Sequence, residues 1–418
     1  MKLFLRAVML VLALAGCKEP TRPPLAQRAY VWQRVWTSAV AEAVTNTIND
    51  VDAHVIFGGE VVWTSGQPQL VECDINWETL RQLSRPVCMA MRIAPYPGPF
   101  DNDAVQHSLT DHAKQLLARC ANERLSCAEF QIDFDCAQKK LDGYALWLRA
   151  LREVARPCRF VITTLPAWLG EASFPRLLRE VDSYVLQVHS VRPAKPGDPV
   201  MICDPERAHR AVAAATQLRV PFEVALPTYS ALVGLKPSGE VVGYSFEGPV
   251  PKWPADTQLV AFDSDAAGIA GLVREWKTLT PASMHGVIWY RLPITTDVRN
   301  WPLVTWRQVK AGEQPVPEWH VQASPGELVD FKLSNVGTLK TNGEVRLKVT
   351  WEKATLVDAE ALPGFLLTKA NGGLVIESVA GESVSLSPGA ERAIGWARFN
   401  QRTQVHVEVS SLPVGHSR

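Results

Sequence analysis

Glu129-Phe130-Gln131-Ile132-Asp133-Phe134-Asp135-Cys136 is the stretch on which the fold turns. Apolar and polar residues alternate singly along it, and in a strand successive side chains point to opposite faces. Phe130, Ile132, Phe134 and Cys136 therefore share one side, and Gln131, Asp133 and Asp135 the other. Burying a carboxylate is costly unless something satisfies it, so such a strand either meets a structural partner or offers its acids to a ligand. With helices over the apolar side, the polar side faces the inside of a closed sheet, and the acids climb toward its mouth.

Outward from this strand, residues 29 to about 310 alternate short β-branched or aromatic runs with longer amphipathic segments, the mark of βα units. Eight such runs occur, at 29–34, 55–63, 87–95, 128–136, 159–165, 183–189, 222–227 and 286–292. Between them, Asn76-Trp77-Glu78 opens a helix, 103–120 carries a longer one, and 142–154 sets Tyr144, Leu148 and Leu151 on one stripe. Asp204-Pro205-Glu206 is a strong helix start, because Asp can cap free N–H groups and Pro in the first turn has no donor to lose. The expected class is α/β, an eight-stranded (β/α)8 TIM barrel over 29–310. No glycine-rich loop follows the first strand, which argues against a dinucleotide-binding open sheet. The seventh connection, 232–244, alternates around Pro237-Ser238-Gly239 and predicts an inserted β-hairpin. Residues 311–319 read as a linker, and 320–418 as a small all-β sandwich with strands near 328–334, 343–351, 373–378, 392–399 and 403–409.

The chain has 418 residues, 47% of them apolar, too many for one ordinary core and too apolar for disorder. Its 43 basic and 43 acidic side chains cancel, so the electrostatic footprint of a nucleic-acid binder is missing. At the amino terminus, Lys2 and Arg6 precede an apolar run at 7–14 that is too short to span a bilayer. Leu14-Ala15-Gly16-Cys17 resembles the bacterial lipoprotein signal motif. That resemblance implies removal of the segment before Cys17, a lipid on Cys17, a proline-rich tether over 18–28, and an exported protein of the bacterial cell envelope held to a membrane. The other cysteines are Cys73, Cys88, Cys120, Cys127, Cys136, Cys158 and Cys203, an odd set whose pairing is not legible. Cys120 and Cys127 are spaced to close a short loop.

For chemistry, Asp135 is the candidate acid/base and Asp133 its support, since catalytic residues of barrels gather at strand C-terminal ends. The competing structural reading has Asp133 braced by Arg92 of the third strand. The acidic fourth strand, Ala225-Leu226-Pro227-Thr228-Tyr229 and Gly286-Val287-Ile288-Trp289 resemble the chitinase-like barrels of glycoside hydrolase family 18. Tyr30-Val31-Trp32-Gln33-Arg34 together with Gln131–Asp135 more closely resembles a bacterial exported family, domain-of-unknown-function family 3142. The first resemblance implies a glycan partner and a D-x-D-x-E motif. Gln131 and Asp133 would stand on its aspartates and Asp135 on its glutamate, one methylene short. A substrate acetamido group would then be the nucleophile. Read one pleat later, Asp133 and Asp135 match the aspartates and Ala137 falls where the acid belongs, leaving an inactive binding or structural protein.

Around that strand, Gln187 and His189 share a face of the sixth strand, and Tyr229, Trp289 and Trp168 lie at or near strand ends, where an aromatic floor suits a sugar ring. With Gln131 and Arg92 they form the expected substrate-binding set. Trp147, Trp276 and Trp306 fall on helices and read as packing. The chain has no G-x-S-x-G elbow, phosphate-cradling G-x-x-x-x-G-K or H-E-x-x-H, and no metal or organic cofactor is implied.

Overall fold

Apolar strands that must bury both faces and helices with a single apolar stripe have one economical solution here, a ring of strands inside a ring of helices. The computed structural model describes residues 24–190, 201–246, 251–370 and 372–412. Cys17, the signal segment and tether residues 18–23 lie outside the described residues.

In chain order the first body contains β1 (Ala26–Val31), α1 (Ser38–Asn46), β2 (Ala53–Thr64), β3 (Gln67–Glu72), α2 (Trp77–Leu83), β4 (Val87–Ile93), α3 (Asp103–Asn122), β5 (Cys127–Asp133) and α4 (Leu141–Ala155). It continues through β6 (Arg159–Thr164), α5 (Phe174–Leu177), β7 (Ser183–Gln187), α6 (Pro205–Gln217), β8 (Phe222–Pro227), β9 (Ser230–Leu235), β10 (Val241–Ser245), β11 (Gln258–Asp263), α7 (Ala266–Thr278), β12 (Met284–Tyr290) and α8 (Leu303–Ala311). Strands β1, β2, β4, β5, β6, β7, β8 and β12 pair in parallel and in that order, and β12 returns to β1, closing a TIM barrel.

Local sequence sets the helix starts. Asn76, Asn102, Asp204 and Asp265 each accept backbone N–H bonds with their side chains at the head of α2, α3, α6 and α7. Helix α4 buries Tyr144, Trp147, Leu148 and Leu151. Phe134 packs there, its ring centroid 5.0 Å from Tyr144 and 5.6 Å from Trp147, so the apolar side of the acidic strand does face the helices. The inserted hairpin is present as antiparallel β9 and β10, turned at Gly239 (φ +83°), with β11 on the other edge of β9.

Beyond α8, Gly312 (φ +82°) ends the helix, and the described chain is antiparallel from Trp319 onward. Strands β13 (Trp319–Ala323), β14 (Gly326–Asn335), β15 (Thr341–Trp351), β16 (Leu356–Ala361), β17 (Phe365–Ala370), β18 (Gly373–Ser378), β19 (Val384–Leu386), β20 (Glu391–Thr403) and β21 (Val405–Leu412) form two sheets. Val329, Phe331, Leu333, Val345, Leu347, Val349, Leu374 and Ile376 fill the core between them. The seven described cysteines are free thiols, and Cys127 meets Cys158 across β5 and β6 instead of closing a loop to Cys120. No helix of the described residues is long and apolar enough to cross a membrane.

Candidate functional site

The barrel interior is stacked in polar layers from bottom to mouth. At the bottom, Arg28 of β1 bridges two strands: Nη2 donates to Glu129 Oε1 of β5 at 2.5 Å, and Nη1 to Glu223 Oε2 of β8 at 2.8 Å. All three are buried. Burial pushes the Glu223 carboxyl above its ordinary range although Arg28 pulls the other way. In the next layer, the Tyr30 hydroxyl donates to Gln131 Oε1 at 2.8 Å, and Gln131 Nε2 donates to Glu129 Oε1 at 2.6 Å. Gln131 is wholly enclosed, so its expected role in substrate binding is corrected: it ties layers of the core together.

At the mouth the geometry loosens. Parallel register places Glu60, Arg92 and Asp133 in one row across β2, β4 and β5. Arg92 Nε lies 3.4 Å from Glu60 Oε1 and 3.9 Å from Asp133 Oδ2, and Arg34 pairs with the other oxygen of Glu60. Asp133 Oδ1 accepts hydrogen bonds from Thr163 Oγ1 at 2.6 Å and Gln187 Nε2 at 3.3 Å. The structural partner expected for Asp133 is thus present, and Gln187 is drawn to the same carboxylate. Burial works against the charge on Arg92, but Asp133, Tyr290, Glu60 and Asp135 outweigh it and hold its pKa above the ordinary value.

Strand β5 ends at Asp133, and Asp135 lies two residues beyond that end. It stands exposed in the loop that follows, within the field of Arg92. Phe134 keeps the parity of Ile132 and packs on α4, and the chain then leads into that helix.

An aromatic group borders this row. His189 Nδ1 is 3.2 Å from the Tyr229 hydroxyl, and its ring stacks on Tyr290 at 5.4 Å and 19°. Burial brings the His189 pKa down to about 4, so the imidazole is neutral at neutral pH. Its Nε2 is enclosed and has no hydrogen-bond partner among the described residues. Trp32 stacks on Phe57 at 4.5 Å and meets Tyr290 edge-on at 5.5 Å.

Two expected aromatics are elsewhere. Trp289 is fully buried on the outer face of β12, with Nε1 donating to Gln27 Oε1 at 2.8 Å and its ring against Trp306. Trp168 is also fully buried, donating to the Cys136 carbonyl at 3.1 Å between Tyr144 and Phe174. Neither can touch a ligand at the mouth, and both are corrected to packing. Tyr290, next to Trp289 and so on the opposite face, is the aromatic that β12 presents inward.

Beside the row lies an open cleft of about 630 Å3 lined by Trp32, Arg34, Phe246, Arg291, Asp297 and Arg299. It is built from the loops after β1 and β12, which leave the same end of the barrel, and from Phe246, which follows β10 of the inserted sheet. Arg291 Nη2 meets Asp297 Oδ2 at 2.5 Å, and Arg299 Nη1 donates to Ser245 Oγ at 2.7 Å. Glu60, Tyr290, Phe246, Arg291 and Arg299 escaped the sequence analysis. Strand parity sets Tyr290 opposite Trp289 without saying which of the two points inward, and the loop residues carry no periodic signal. Among the described residues no group of three or more His, Cys, Asp or Glu is arranged to hold a metal ion.

No curated protein matches the chain. Among solved structures it is similar to a chitinase from Chromobacterium violaceum ATCC 12472, with 13% identity, 69% of this chain and 98% of that one covered, and a TM-score of 0.47. It is similar also to the spore cortex-lytic enzyme of Bacillus cereus, with 12% identity, 70% and 75% covered, and a TM-score of 0.48. A third is the chitinase-like agglutinin of Robinia pseudoacacia, with 12% identity, 68% and 98% covered, and a TM-score of 0.41. Residues 83–295, just over half of the chain and spanning β4 to the loop after β12, match a family model, and the chain belongs to that family, described as Domain of unknown function (DUF3142).

Proposed function

We propose that this protein binds a glycan at the mouth of its barrel. The observation that carries the reading is the half-open row Arg34, Glu60, Arg92 and Asp133 beside the rings of Tyr290 and Phe246 and an open cleft. Sugars offer apolar C–H faces to aromatic rings and hydroxyls to paired charges, and the C-terminal end of a barrel is where such folds place ligands. The resemblance of the acidic strand and of residues 225–229 to chitinase-like barrels supports the same ligand class.

Hydrolysis is a second reading, favoured by the exposed position of Asp135 two residues past Asp133 at a strand C-terminal end. Asp135 would protonate the leaving oxygen, a substrate acetamido group would attack, and Asp133, held by Thr163 and Gln187, would orient that group. A general acid at neutral pH needs an apolar pocket that keeps its proton. Asp133 instead sits among Thr163, Gln187 and Arg92, and Asp135 is exposed, so binding is better supported than turnover.

The amino-terminal motif supports export and lipid attachment at Cys17, which would hold the barrel at a membrane of the bacterial cell envelope. Labelled palmitate should enter the wild-type chain and not Cys17→Ala. For the site, a panel of amino-sugar, neutral and acidic polysaccharides should be retained by the protein and by Asp135→Asn, with loss in Tyr290→Ala. Product release abolished by Asp135→Asn would establish the second reading. Neither retention nor release from any of them would leave a structural role.

A further inference from the structure

Four guanidiniums gather around the mouth, and three meet carboxylates. Arg34 and Arg92 share Glu60, Arg92 also faces Asp133, and Arg291 is clasped by Asp297 through Nη2 at 2.5 Å and Nε at 3.1 Å. Arg299 differs from the others. Its guanidinium donates to the neutral Ser245 hydroxyl at 2.7 Å and, among the described residues, meets no carboxylate at ion-pair distance. Asp297, the nearest acid in sequence, directs Oδ2 to Arg291 and Oδ1 to the Arg299 backbone N–H at 3.1 Å. The side chain is half-buried on the cleft wall, where a cation is less screened than on open surface.

The wall around it also carries apolar side chains, between the paired Arg34, Arg291 and Asp297. Phe246 is 40% exposed, and Val35 and Val298 stand exposed at the rim. One half-buried guanidinium that meets no carboxylate among the described residues, beside the exposed ring of Phe246, is a poor site for a bare anion. It suits a ring that carries a single anionic group. Ser245 fixes one edge of the fork, and the remaining N–H donors are free to hold two oxygens of one acid group side by side.

We propose that the glycan bound at this mouth is anionic, bearing a carboxylate or a sulfate, and that Arg299 reads that group. The inference rests on the glycan-binding reading above and adds the ligand's charge. The test is isothermal titration of the full chain in detergent at low salt with galacturonic acid oligomers, their carboxyl-reduced neutral counterparts, and sulfated neutral oligomers. The expected result is about tenfold tighter binding of at least one acidic series than of the neutral one. Arg299→Gln should reduce that preference to about twofold or less while leaving neutral-oligomer affinity unchanged, and Arg299→Lys should keep part of it. Unchanged melting of both variants would show that neither acts through unfolding. Which acidic series is preferred tells carboxylate from sulfate. Equal affinity for acidic and neutral oligomers, or a preference that survives Arg299→Gln, overturns the inference and leaves glycan binding standing. Absence of binding to every series overturns both.

Discussion

The two ends of the barrel each hold a cluster of arginines and carboxylates, and they are built in opposite ways. At the bottom, Arg28 sits between Glu129 and Glu223 with bonds of 2.5 and 2.8 Å, and all three are buried. At the mouth, Arg92 stands 3.4 and 3.9 Å from Glu60 and Asp133, and about a third of its side chain is exposed. A closed cluster holds strands together, because removing one partner strands a buried charge. An open cluster contributes little to stability, and its unspent hydrogen-bonding capacity can be used on a ligand. The same residue types thus serve the fold at one end and are available for function at the other.

The sharpest way to break this contrast is Arg28→Met. It leaves Glu129 and Glu223 buried with only the more exposed Arg159, 3.6 Å from Glu129, as counter-charge, and should cost about 3–5 kcal/mol in urea unfolding. A loss below about 1 kcal/mol would mean that the bottom cluster is no more structural than the mouth. Next in size is a pH effect. His54 is buried against Thr47, and burial brings its pKa down to about 4. Between pH 6.5 and 4 the unfolded chain takes up a proton that the folded imidazole refuses, so stability falls as pH drops through that window and is fully present above it. His54 should account for about 2–3 kcal/mol of that fall, and His54→Gln should flatten the slope by this amount. His189, its pKa likewise brought down to about 4 by burial, adds to the fall in the same direction.

Arg92→Met is the matched control for Arg28→Met. It should change stability by at most about 1 kcal/mol and weaken saccharide binding severalfold, as read by melting and titration together. The smallest effect is expected for Asp135→Asn, within about 0.5 kcal/mol of wild type, because the residue stands exposed in a loop and the change keeps its shape. A larger loss would turn Asp135 from a rim group into a brace.

Much of the barrel was legible because its signals are local. Eight apolar runs, the Asp and Asn caps, the Pro-Ser-Gly hairpin and the alternation in 129–136 each declare themselves within a few residues. The first strand begins at Ala26, before the run expected at 29–34, and so brings Arg28 inside. Nothing local announces that role, since its partners lie 101 and 195 residues away. The choice of Trp289 over Tyr290 failed for a different reason. In a strand apolar on both faces, sequence gives the alternation but not which parity points inward. Asp133 and Asp135 share a parity, yet only Asp133 is in the strand, and alternation alone does not mark where a strand ends. The cleft residues Phe246, Arg291 and Arg299 belong to loops, where spacing carries no face information at all.

The most direct test of the central claim is a hydrogen-exchange footprint of the full chain saturated with a retained oligosaccharide. Protection is predicted in the loop from Trp32 to Val35 and in the loop from Arg291 to Arg299, with no change at the β1, β5 and β8 segments around Arg28, Glu129 and Glu223. Protection confined to the bottom of the barrel or to the antiparallel sheets beyond Trp319 would contradict the assignment of the mouth as the binding site.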